Sequence, residues 1–212
     1  MPPKTLFVAG ARRGVGKTLL SAFLLRSLPG TGAIKVTCCR VSGGCPRNRP
    51  CGVCRGLAAP YAVIRDHDIL AQPGKDTARL LAAASGGVVW LQSREEALAE
   101  GLAAALSVFA GAPAVVVEGN AAFQVRAPDL GVLVLGPGVP KPSVNVALPR
   151  VDCVVLNAPP AAAGSPVPAL PEGLREGVGF FAFDVARSDS SAEARAFIGW
   201  VAGKLALPAR FG

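Results

Sequence analysis

The stretch that most constrains the fold is TLFVAGARRGVGKTLLSAFLLRSL, residues 5–28. It opens with an apolar run, TLFVAG, of the kind a strand buried on both faces needs. It ends in KTLLSAFLLRSL, whose apolar residues recur at helical spacing. Between them lies a short glycine-bearing turn ending in Gly16-Lys17-Thr18. A strand that passes through such a turn directly into a helix predicts a βα unit of a parallel sheet. The same geometry makes an anion site, because the unpaired N–H groups and the positive end of the helix dipole point at whatever sits in the turn. Gly10, Arg13, Gly14, Val15, Gly16, Lys17 and Thr18 are the candidate cradle. In it Lys17 would reach the outer phosphates of a nucleotide, and Thr18 would offer its hydroxyl to Mg²⁺.

The rest of the chain continues the pattern. Further strands are expected at PAVVVEG (113–119), GVLVLG (131–136), CVVLN (153–157) and VGFFAFDV (178–185), with helices at 94–108 and 190–206. Strands alternating with helices predict an α/β fold, a doubly wound and mostly parallel sheet, with residues 1–212 as one domain. Ligands of such sheets gather at the carboxyl ends of the strands. That puts Glu118, the last residue of its apolar run, near Lys17 and a metal. Asn157 ends another strand, where it reads either as a base-recognising residue or as a plain loop residue. Residues 136–143 follow a strand end, so Lys141 and Ser143 are candidate ligand contacts, while the Pro-rich residues 158–173 read as a loop.

Charge is unevenly distributed. The chain carries +8 overall, yet residues 1–65 hold eleven basic and no acidic residues, leaving the remainder at −3. A third of the chain without carboxylates favours an anionic ligand. Nucleotide phosphates fit. Nucleic acid fits less well, because only Phe7, Phe23 and Tyr61 are available there to stack on bases. No apolar run reaches the length of a membrane span, and the N-terminal apolar run enters a Gly/Arg turn without a cleavage site. A cytoplasmic protein is the expectation.

Five of the six cysteines, Cys38, Cys39, Cys45, Cys51 and Cys54, fall within seventeen positions. In a cytosolic chain such clustering argues for metal over disulfides. Cys51 and Cys54 form a C-x-x-C edge, and Cys45 with Cys38 or Cys39 completes four thiolates. Four thiolates suit Zn²⁺ or an iron–sulfur cluster, and a redox-active C-x-x-C or incidental cysteines are the other readings. Cys153 begins an apolar strand and reads as core.

The spacing of the turn, Gly10 then five residues then Gly16-Lys17-Thr18, resembles dethiobiotin synthetases and other P-loop NTPases of the SIMIBI class. Many of these carry K-G-G-x-G-K-T, and here Arg12 stands at the signature lysine and Arg13 at the first glycine. A second motif, DHDILAQPGKDTARL (66–80), resembles the adapter proteins of molybdopterin-guanine dinucleotide biosynthesis, the MobB family. That family carries Lys-His-x-His-His after its second strand and then Pro-Gly-Lys-Asp-Ser/Thr. Residues 73–77 match the latter, and KVTCC (35–39) takes the place of the former, with residues 38–55 as a Cys-rich insertion.

The resemblance implies a nucleotide-binding protein, taking ATP or GTP with Mg²⁺, that acts in cofactor biosynthesis or metal-cofactor maturation. A biosynthetic enzyme or metalloprotein would be its client. Lys75 and Asp76 would lie near the nucleotide, though they also read as an ordinary helix start. Glu118, or Asp66 and Asp68, would hold Mg²⁺ with Thr18. Lys17 and Arg12 would stabilise the transferring phosphoryl group in a slow ATPase or GTPase. Class members often act as dimers, with the signature residue reaching across. His67 reads as an exposed polar residue. Two other classes are a dethiobiotin-synthetase-like ligase acting on a carboxylate and a nucleotide-switched metal or cluster carrier.

Overall fold

The fold is taken from a computed structural model, which describes residues 2–39, 57–157 and 170–210. Cys45, Cys51 and Cys54, and most of the Pro-rich stretch 158–173, lie outside the described residues.

The described residues form an α/β fold around one eight-stranded sheet. The strands are β1 (Lys4–Gly10), β2 (Gly32–Cys39), β3 (Tyr61–Ile64), β4 (Val88–Arg94), β5 (Ala114–Glu118), β6 (Leu130–Leu135), β7 (Cys153–Asn157) and β8 (Gly179–Phe183). Their order is β3-β4-β2-β5-β1-β6-β7-β8. All neighbours are parallel except β3, which runs antiparallel to β4. The helices are α1 (Lys17–Ser27), α2 (His67–Leu70), α3 (Asp76–Ala83), α4 (Leu98–Ser107), α5 (Ala122–Val125) and α6 (Ala192–Leu205). Among the described residues no helix is long and apolar enough to cross a membrane.

Helices cover both faces of the sheet, as a doubly wound sheet requires. The strands β1, β5 and β6 therefore read as apolar runs instead of alternating, and all of their residues except Lys4 are buried. Leu6 and Val8 of β1 pack with α1, α3 and α6, whereas Phe7 and Ala9 pack with α4 and α5. Helix α1 lies against α3, β1, β5 and the turn at 185–190, which is why it is buried on most sides.

Three sequence expectations need correction. The expected helix at 94–108 starts later: Arg94 still belongs to β4, residues 95–97 make a 3₁₀ turn, and α4 begins at Leu98. The Cys-rich insertion does not begin at residue 38, because Cys38 and Cys39 are the last residues of β2.

The third correction concerns Asp66 and Asp68. Ile64 pairs with Trp90, in the same row of the sheet as Lys35 and Glu118. Because β3 is antiparallel, the chain then runs away from the carboxyl ends of its neighbours. His67 consequently shares a cavity wall with Gly86, Gly87 and Phe109, at the amino ends of the neighbouring strands. Asp66 caps α2, accepting from the amides of Asp68 and Ile69, and Asp68 is fully exposed beside His67. Three strand spacings, roughly 14 Å, also separate β3 from β5. The two aspartates are not brought to Thr18. His67 is exposed, as expected.

Candidate functional site

The carboxyl end of β1 lies between β5 and β6, and there the chain turns into α1. Gly14 and Gly16 both take positive φ (72° and 104°), the left-handed region that glycine enters without a steric cost. The turn brings Lys17 back over the end of its own strand. A Cβ on Gly10 would fall 2.5 Å from Lys17 Cγ and 2.8 Å from Val15 Cγ1, so only glycine leaves room for the lysine stem. Helix α1 opens with no side-chain cap and no acidic residue in its first turn. Its N-terminal amides and dipole are left open to an anion. Arg12, Arg13 and Gly14 form the exposed rim.

Two asparagines hold this turn in shape. Asn157 donates to the Val15 carbonyl (3.1 Å) and accepts from the Val185 amide (3.0 Å). A Cβ on Gly16 would meet the same Asn157 amide nitrogen at 2.8 Å. Asn157 therefore braces the turn. Asn120 was not anticipated. Its carbonyl accepts from Gly10 N (3.0 Å), and its amide donates to Gly10 O and Ser143 O (both 3.1 Å).

Glu118, paired with Val8 across β1 and β5, is 1% exposed and accepts the Thr18 hydroxyl at 3.0 Å through Oε1. The same oxygen accepts from Lys35 Nζ at 2.5 Å, and Lys35 Nζ also donates to Asp76 Oδ2 at 2.5 Å. Glu118 Oε2 is buried and has no hydrogen-bond partner among the described residues. Lys35 is the residue that sequence reading passed over. Its signals are its place as the lysine of KVTCC, aligned with the lysine of the resembled motif, and its lone charge inside the otherwise apolar strand GAIKV.

The site is electrostatically unbalanced. Burial pushes the Lys17 pKa down, and the nearby Lys141 ammonium pushes it further. Burial and then Lys35 lower Lys141 in the same way. Burial alone would lower Lys35 as well, but Glu118 and Asp76 outweigh it and hold its pKa above the ordinary value. For Asp76, burial pushes up, yet the hydrogen bond and charge of Lys35 prevail and hold its carboxyl low, with smaller help from Thr18 and Lys17 beside it. Three ammonium groups thus converge on two carboxylates, and Lys35 occupies both.

Among the other candidates, Asp76 joins this cluster from the first turn of α3, while Lys75 sits one residue outside it, exposed. Arg12 leans on the segment after β6: a Cβ on Gly138 would come within 3.0 Å of Arg12 Nη1. Cys38 and Cys39 end β2 on opposite faces, Cys38 packing toward the α4 side. Cys153 is fully buried in the core, as expected. Among the described residues, no group of three or more His, Cys, Asp or Glu side chains is placed to hold a metal ion. The chain matches no protein-family model, and no curated protein matches it.

Proposed function

We propose that the chain is a P-loop NTPase of the SIMIBI class, which binds ATP or GTP with Mg²⁺ and hydrolyses it slowly. It would serve cofactor biosynthesis or metal-cofactor maturation, with a Cys-ligated zinc or iron–sulfur centre formed by residues 38–55. The observation that carries the nucleotide reading is Lys17, folded over Gly10 at the uncapped start of α1 and forming no ion pair among the described residues. A partly buried ammonium with no carboxylate within ion-pair distance among the described residues, beside open helix amides, suits a phosphate in chemical terms.

Mg²⁺ fits the same place. A buried carboxylate oxygen without a partner costs free energy that a cation would recover. Glu118 Oε2 is such an oxygen. Thr18, Glu118 and Asp76 would hold the ion, which takes few protein ligands and keeps waters and phosphate oxygens for the rest. When bound it supplies positive charge to the outer phosphates.

The test is calorimetric titration of Lys17→Ala with Mg·ATP and Mg·GTP. A lost charge-assisted contact of about 1.5–3 kcal/mol weakens binding roughly ten- to hundredfold. Affinity equal to that of the parent chain for both nucleotides would refute the reading.

A further inference from the structure

The segment that follows β6 shares a hydrogen-bond frame with the glycine turn. Lys141 N donates to Ala11 O at 2.7 Å, and Ala11 N donates to Val134 O at 2.9 Å. Asn120 ties Ser143 O to both backbone atoms of Gly10. Gly138, with φ of 104°, lets the segment pass close under Arg12. Lys141 therefore leaves the backbone one residue from Gly10, the glycine over which Lys17 is folded. Its half-buried ammonium forms no ion pair among the described residues. It is also the strongest charge acting on Lys17. A fold that anchors a second unpaired ammonium beside the first pays a repulsive cost, which a polyanion between them reverses.

We infer that Lys141 is a catalytic cation supplied by the same chain, contacting the non-bridging oxygens of the terminal phosphoryl group during its transfer to water. This rests on the nucleotide reading above. In the step, the oxygen of water bonds to the γ-phosphorus and the bond from that phosphorus to the β–γ bridging oxygen breaks. The electron pair stays on the nucleoside diphosphate. One proton of the water remains on inorganic phosphate and the other leaves to solvent. Charge spreads over the three equatorial oxygens as this happens. A cation fixed there before the reaction stabilises the transition state more than the ground state. Arg12, resting on Gly138, belongs to the outer side of the same segment.

The experiment compares the parent chain with Lys17→Ala, Lys141→Gln and Lys141→Arg. It measures affinity for Mg·ATP or Mg·GTP, whichever binds more tightly, affinity for the matching Mg·diphosphate–aluminium fluoride mimic of the transferring group, and kcat. Lys141→Gln is expected to bind triphosphate within about threefold of the parent. Its kcat and its affinity for the mimic should fall by about 10², and Lys141→Arg should recover part of both. A mixture of Lys141→Gln with Lys17→Ala should not regain turnover, because both cations come from the same chain. Parent-like kcat and mimic affinity in Lys141→Gln overturn the assignment of Lys141 while leaving the Lys17 result to judge the nucleotide reading. Turnover regained in that mixture overturns action within one chain. Lys17→Ala that binds both ligands normally overturns the nucleotide reading itself.

Discussion

Lys35 Nζ lies 2.5 Å from Glu118 Oε1 and 2.5 Å from Asp76 Oδ2, so one ammonium joins the end of β5 to the first turn of α3. The two halves of this link differ. Glu118 is 1% exposed, and its side of the contact is dry, whereas the Asp76 side chain is 51% exposed. Removing Lys35 strands a charge in the core, while removing Asp76 leaves Lys35 still paired. Lys35→Met should therefore cost about 3–5 kcal/mol, the usual penalty for breaking one side of a buried pair. Asp76→Asn should cost about 1 kcal/mol or less. Urea denaturation measures both. If Lys35→Met/Glu118→Gln is no more stable than Lys35→Met alone, the stranded charge is not the cause.

The pH response of the site follows from the signs of its shifts. Lys17 and Lys141 both lie below the ordinary lysine value of 10.5. As pH rises Lys17 discharges before an exposed lysine does, and triphosphate affinity should decline in a window that opens below that value. Lys35 is shifted the other way and keeps its charge through that window. Lys141→Gln removes the largest charge acting against Lys17, so the decline should move to higher pH. Titration of triphosphate binding from neutrality upward, in the parent and in this variant, checks it. A decline at the same pH in both would mean that Lys141 does not act on Lys17.

The same reasoning gives the acid limb of stability. The Asp76 carboxyl lies below its ordinary 3.8 when folded. Its contribution is therefore complete above that value and is lost as pH falls through the lower, folded one. Asp76→Asn should flatten the stability profile on the acid side only. An unchanged acid limb in thermal melts would remove Asp76 from the linkage.

The turn offers a separate check on what Asn157 does. Its two hydrogen bonds, to Val15 O and from Val185 N, join the turn to the start of the segment at 185–190. Asn157→Ala should cost roughly 1–3 kcal/mol of stability and weaken ATP and GTP by the same factor, because phosphate binding alone is disturbed. A changed ratio between the two nucleotides would assign Asn157 a base-reading role instead. Gly10→Ala should abolish most triphosphate binding with an unchanged circular dichroism spectrum, since the added methyl meets Lys17 and not the sheet.

Much of this site is legible in the sequence, and the gaps have physical causes. Gly16-Lys17-Thr18 and Glu118 can be read because local chain geometry delivers them: a turn between strand and helix, and the last residue of a strand. Lys35 escapes because its meaning depends on partners 41 and 83 residues away, and a strand does not announce which carboxylates will face it. Asp66 and Asp68 mislead for a related reason. The four residues of β3, YAVI, are all only partly buried and carry no mark of direction. Their antiparallel pairing sends the two aspartates toward the amino ends of the neighbouring strands. Asn120 lies two residues beyond Glu118, but nothing local says that its amide will join the end of β1 to the segment after β6.

The cysteines allow the last test. Alternation along β2 puts Cys39 on the face shared by Lys35 and Thr37 and puts Cys38 on the other, where it packs toward α4. One metal centre completed by Cys45, Cys51 and Cys54 can draw on only one of these two. Cys153 cannot contribute: it is buried at the amino end of β7, four strands from β2 and at the opposite end of the sheet from Cys38 and Cys39. In protein purified without oxygen, Cys153→Ala should keep the metal content of the parent. Cys45→Ala, Cys51→Ala and Cys54→Ala should each lose it, and of Cys38→Ala and Cys39→Ala just one should. Elemental analysis with visible absorption reads the result, a charge-transfer band marking an iron–sulfur cluster and colourless zinc marking a structural site. Full metal content in the three loop variants would overturn the centre. Loss of metal in both strand variants would mean that β2 does not keep its alternation to Cys39.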